Sequence, residues 1–163
     1  MSATRIGFVL FPRMTQPDLT GPYEMLARVP GVEVLLLARD GQPVETELGL
    51  RILPTVSLDD APPFDLLCVP GGPGVNALLE DDAVLDFLAA RGARARWVTS
   101  VCTGALALGA AVLTEYDPAP PFPGSPRTAA PEVVESVRSA REGLQSARRR
   151  LCEAAVARRA PRA

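Results

Sequence analysis

The sequence predicts an α/β protein in three layers: a doubly wound, mostly parallel sheet with helices on both faces, followed by a C-terminal amphipathic helix. Three observations lead there. Near-continuous apolar runs recur along the first two thirds of the chain, as strands buried on both faces require. These runs alternate with segments of helical periodicity, the order that builds a parallel sheet. The tightest turn sequences, Pro70-Gly71-Gly72-Pro73-Gly74 and Ser100-Val101-Cys102-Thr103-Gly104, each follow a strand, where open parallel sheets place their ligand sites.

Ile6-Gly7-Phe8-Val9-Leu10-Phe11, ended by Pro12, reads as the first strand. After a loop through Gln16-Pro17, Asp18 or Thr20 can cap a helix through Tyr23, Met25 and Leu26, with Pro22 tolerated in its first turn. Val32 to Ala38 supplies a second strand, and Val44 to Leu53, broken at Gly49, a small hairpin. Asp65-Leu66-Leu67-Cys68-Val69-Pro70 is a third, buried strand. Asp82 can cap a helix carrying Val84, Leu85, Phe87 and Leu88, and Trp97-Val98-Thr99-Ser100 is a fourth strand. Thr103 to Leu113, rich in Ala and Leu, reads as a buried helix.

The alternation then stops, which divides the chain into residues 1–113, a proline-rich connector at 114–131 and an arginine-rich helix at 132–163. That helix carries Val133, Val137, Leu144 and Leu151 at helical or heptad spacing. Such a stripe must pack on this domain or on a partner.

Composition narrows the chemistry. At 163 residues the chain is of single-domain size and can bury a core without disulfides or metals. Only 5% of residues are aromatic, so that core must be mostly Leu, Val and Ala. No apolar run approaches a bilayer span and the N-terminus lacks a signal-peptide pattern, so a cytoplasmic location without a membrane partner is expected. Cys68, Cys102 and Cys152 are far apart and without CxxC spacing, which points to neither a disulfide framework nor a zinc site and fits a reducing compartment.

There is no histidine, and all 17 basic residues are arginines. Ser-His-Asp and Cys-His catalysis, His-ligated metals, Schiff-base lysines and P-loop lysines are therefore excluded within the chain. Proton transfer falls to carboxylates, tyrosines, cysteine or water. Charge is uneven: residues 1–113 hold eight arginines against thirteen acidic residues, and residues 114–163 nine against six. A solvated helix face accounts for the basic tail better than a nucleic-acid patch.

The elbow at Ser100-Val101-Cys102-Thr103-Gly104 puts Cys102 on a sharp strand-to-helix corner, with the helix N-terminus offering unpaired N–H groups to an anionic sulfur. A small buried hydrophobe is the competing reading of Cys102. Gly71 and Gly72 can bring backbone N–H groups to an anionic intermediate, although an ordinary Gly/Pro turn by itself explains the loop better. Asp18, after strand one, lies at the same sheet edge, where it can shuttle protons or cap the helix.

Asp18-Leu19-Thr20-Gly21-Pro22-Tyr23-Glu24, Asp65-Leu66-Leu67-Cys68-Val69-Pro70-Gly71-Gly72 and Val98-Thr99-Ser100-Val101-Cys102-Thr103-Gly104 together resemble the DJ-1/PfpI superfamily, a flavodoxin-like fold. Within it the chain is similar to the isonitrile hydratases, over residues 5–113 and again at Glu115-Tyr116-Asp117-Pro118 to Pro126. The resemblance implies Cys102 as nucleophile, Asp18 as acid/base and Thr103 as a site residue. The Gly72 and Thr103 amides would stabilise the intermediate. It also implies hydration of an isonitrile to an N-substituted formamide with no metal or organic cofactor, in a homodimer. Relative to that family, a block of strands and helices is missing after Leu113, so a truncated sheet of order 2-1-3-4 is expected, its fourth strand an uncovered edge. Two other functions fit the same residues: a non-catalytic remnant, and a ligand-sensing domain related to transcriptional regulators. One long tail helix without a second recognition helix argues against direct DNA binding.

Overall fold

The apolar runs pair as parallel strands. A computed structural model describes residues 3–111 and 131–159. Its elements in chain order are β1 (Thr4–Val9), α1 (Gln16–Leu26), β2 (Val32–Ala38), β3 (Val44–Glu45), β4 (Arg51–Ile52), β5 (Val56–Ser57), β6 (Leu66–Val69), α2 (Val75–Leu78), α3 (Asp82–Gly92), β7 (Trp97–Ser100), α4 (Gly104–Ala110) and α5 (Pro131–Arg159). The main sheet has the order β5-β2-β1-β6-β7, every neighbouring pair parallel. This is the expected 2-1-3-4 order, with the two-residue β5 added outside β2 and too short to show a period. β3 and β4 form the separate antiparallel hairpin about Gly49.

Register sets the site. Phe8 pairs with Cys68, and Cys68 in turn with Thr99, so β1, β6 and β7 deliver their following loops to one edge. β7 is the outermost strand on its side, and among the described residues no strand covers its far edge. Phe8, Leu37, Leu67 and Val69 are fully buried in the sheet, sealed by Leu19 of α1 on one face and by Leu85, Leu88 and Leu108 of α3 and α4.

Two helices start differently from expectation, and a third element, α2, has no counterpart in it. α1 begins at Gln16 behind an extended Thr15, which puts Asp18 inside the first turn instead of at the cap and Pro22 in the helix interior. α3 is capped by Asp81, not Asp82: the Asp81 carboxylate accepts from the N–H groups of Ala83 (3.1 Å) and Val84 (3.2 Å) and pairs with Arg39. Two adjacent aspartates fit the cap pattern, and only the first has the extended backbone a cap requires. α2 is a single turn inside the glycine loop region, below the length a periodicity can reveal.

The C-terminal part of α5 packs on this chain's own core. Ala155 is fully buried and Leu151 and Cys152 lie against the core. Arg148 donates to Asn76 Oδ1 (3.3 Å), while Arg158 donates to Asp82 Oδ1 (3.2 Å) and to the Leu79 carbonyl (3.3 Å). The side chains of Val133, Val137 and Leu144, the proline-rich connector and the break after Leu113 lie outside the described residues. No described helix is long and apolar enough to cross a membrane.

Leu67→Ala is expected to lower unfolding stability by about 3 kcal/mol, because it empties a fully buried site in a central strand. Asp81→Ala should cost about 1 kcal/mol through the lost cap. Urea unfolding of both variants checks this; a negligible loss at Leu67 would contradict the placement of β6 in the core.

Candidate active site

β7 ends at Ser100, and the Val101 N–H still donates to the Val69 carbonyl (3.0 Å), which carries the β6–β7 pairing one residue further. The chain then reverses at Cys102, whose φ of +52° lies in the left-handed region. For a non-glycine residue this costs roughly 1–3 kcal/mol and survives only where the surroundings impose it. Here they do. The Gly104 N–H closes the turn on the Val101 carbonyl (3.0 Å), and Gly104 itself lies on the Val69 and Pro70 carbonyl oxygens, where a methyl group would collide. The corner leaves the Cys102 side chain exposed.

The loop after β6 comes equally close. A methyl group on Gly71 would stand 2.7 Å from Asp18 Oδ2, 2.7 Å from the Thr103 nitrogen and 2.8 Å from Cys102 Cβ. Asp18, Cys102 and Thr103, separate in sequence, therefore converge on one glycine. The Thr15 N–H donates to the Gly71 carbonyl (2.9 Å), tying the start of α1 to the same loop. Gly72, with φ +137°, sits against the Met14–Thr15 backbone, where no side chain fits.

Thr103 fastens the elbow to the loop through its hydroxyl, which accepts from the Gly72 N–H (2.9 Å) and lies 3.2 Å from the Gly72 carbonyl. The Gly72 N–H is thus already engaged. The Thr103 N–H has no acceptor among the described residues. Asp18 Oδ2 is buried and likewise has no hydrogen-bond partner among them. A buried carboxylate oxygen without a partner is costly, so Asp18 Oδ2 is a group that a water, a ligand or a reacting group would satisfy.

The three thiols differ sharply. Burial pushes the Cys68 thiol up to about 12, so it stays protonated inside β6. Burial also raises Cys152, with Arg148 opposing and Glu153 reinforcing the effect. Cys102 and Thr103 open onto a cavity of about 500 Å³ between α4 and α5, with Cys152 and Val156 on its far wall. Sequence reading missed Cys152 and Val156. Ala155 continues the Leu151 side of α5 at i+4, which marked the packing face but not what it packs on. Among the described residues no cluster of His, Cys, Asp or Glu could hold a metal ion.

The DJ-1/PfpI family profile matches residues 4–118. Isonitrile hydratase from Pseudomonas putida is 52% identical over 113 residues, covering 69% of this chain and 50% of that enzyme. The HTH-type transcriptional regulator GbdR of Pseudomonas aeruginosa is 34% identical over 119 residues, covering 69% of this chain and 32% of the regulator. The chain therefore spans half or less of the length of these two relatives. Among solved structures, a ThiJ/PfpI family protein from Pseudomonas syringae superposes with a TM-score of 0.78 at 27% identity, covering 93% of this chain and 91% of that one. With the strand order, the cysteine elbow and these matches in agreement, the chain belongs to the DJ-1/PfpI family.

Proposed function

We propose that the chain hydrates an isonitrile to an N-substituted formamide, with Cys102 as nucleophile and Asp18 as acid/base. The observation that carries this reading is the buried Asp18 Oδ2 beside Gly71, on the same glycine as Cys102 and the Thr103 N–H, with neither polar group partnered among the described residues. The 52% identity to isonitrile hydratase supports the choice of substrate.

In this scheme the Cys102 sulfur bonds to the terminal isonitrile carbon while that carbon takes a proton from the Asp18 carboxyl, giving a thioimidate. Water then adds to the same carbon. Asp18, now ionised, accepts one water proton, the other goes to the substrate nitrogen, and the oxygen stays on the carbon. Collapse to the formamide expels the Cys102 sulfur, so the net change is addition of one water molecule. The Thr103 N–H is the donor available to charge developing on the adduct, and Gly71 gives that charge close access. Gly72, its N–H taken by Thr103 Oγ1, acts as a positioning residue that fixes the loop. The far edge of β7, which no strand among the described residues covers, supports a homodimer as the working form.

A second reading, a ligand-sensing domain without turnover, draws on the similarity to the regulator over the same share of the chain. The pure chain should convert benzyl isonitrile to N-benzylformamide. Cys102→Ser should abolish this and Asp18→Asn should slow it by roughly a hundredfold or more. Product formation followed by NMR checks it: a folded chain that binds the isonitrile without turnover would favour the sensing role. Brief iodoacetamide treatment of the native protein should label Cys102 and leave Cys68 untouched until the chain is unfolded, as read by peptide mass mapping. Equal labelling of both would contradict the burial of β6.

A further inference from the structure

The cavity beside Cys102 has a built character that the reaction scheme does not use. α4 divides into two faces. Gly104, Ala107, Leu108 and Ala111 turn inward and are buried in the core. Ala105, Leu106 and Gly109, at i, i+1 and i+4, are only partly buried and line the cavity together with Ala110, which is also buried in the core. Three of these four are Ala or Gly, so the space exists because this face is short. Gly109 marks it directly: a methyl group added there would meet nothing within 4 Å.

The opposite wall comes from α5, through Cys152 and Val156. It is held in place by the fully buried Ala155 and by the Arg148 and Arg158 hydrogen bonds to Asn76, Asp82 and the Leu79 carbonyl. Burial raises the Cys152 thiol, which favours its neutral form and lets the sulfur serve as a soft, weakly polar wall. The lining therefore offers methyl, methylene and neutral thiol surface, and its about 500 Å³ lies in the range of small-ligand sites. At one end stand Cys102 and Thr103.

We infer that the α4–α5 cavity is an apolar subsite that binds the hydrophobic alkyl or aryl substituent of the carbon electrophile captured by Cys102, with Gly109 and Val156 setting the size accepted. This rests on Cys102 being the reacting thiol, and under the reading above the substituent is the one on the isonitrile nitrogen. The C-terminal helix is thereby part of the site and not only a cover for the core.

The test compares N-methylmaleimide with N-benzylmaleimide on the whole chain, with the Cys102 adduct quantified by mass spectrometry and each rate divided by that of glutathione. The wild type should prefer the benzyl reagent by roughly tenfold, from burial of the ring. Gly109→Leu should bring the benzyl-to-methyl rate ratio down to about one, and Gly109→Ala should keep most of the preference. Melting curves confirm that both variants fold, as the open space at Gly109 leads us to expect. No benzyl preference in the wild type, or the same preference in Gly109→Leu, overturns the subsite. Because alkylation needs no turnover, this result stands apart from that of the hydration assay.

Discussion

Backbone packed directly on backbone at the carboxyl ends of β6 and β7 sets the geometry on which the rest of the site depends. Gly104 lies on the Val69 and Pro70 carbonyls, Gly74 on the Pro12 carbonyl, and Gly72 on the Met14–Thr15 backbone. Each contact excludes even a methyl group. Together they draw the loops after β1, β6 and β7 close enough for Gly71 to touch Asp18, Cys102 and Thr103 at once. The left-handed backbone of Cys102 follows from the same constraint, since strand and helix cannot otherwise join in so short a turn.

The chemistry follows from what that closeness leaves unsatisfied. Without histidine or lysine, proton transfer falls to carboxylates, tyrosines, cysteine or water, and one Asp18 oxygen is shielded from solvent and unbonded among the described residues. In so dry a position a carboxyl interacts strongly with whatever group approaches it. The Thr103 hydroxyl meanwhile occupies the Gly72 amide, which fixes the loop, while the Thr103 amide has no acceptor among the described residues. The pieces are complementary: one sulfur, one carboxyl and one N–H around a glycine.

Much of this was legible in the sequence. Apolar runs gave β1, β2, β6 and β7 and their order, since strands buried on both faces carry a strong signal. The elbow and the glycine loop were legible because close approach of backbone to backbone requires glycine at fixed positions, Gly104 and Gly72 among them. Short elements were not: β5 and α2 have too few residues to show a period. The cap of α3 was misplaced by one residue, because Asp81 and Asp82 look alike until the backbone angle is known. Gly72 fits an amide donor in sequence, and only the fold brings Thr103 Oγ1 onto its N–H. The roles of Cys152 and Val156 depend on where α5 docks, a long-range contact that helical spacing alone does not encode.

The central claim is that the site is assembled by contacts only glycine permits, and comparing two Gly→Ala substitutions tests it most directly. Gly71→Ala should lower unfolding stability by about 2 kcal/mol and displace the elbow, since its methyl would press on Asp18, Thr103 and Cys102. Gly109→Ala, with open space at its Cβ and a helical backbone, should be neutral or stabilising by up to about 1 kcal/mol. Chemical denaturation of the two variants side by side gives the answer. A clear loss confined to Gly71→Ala agrees with the account; equal stability of the two would contradict it.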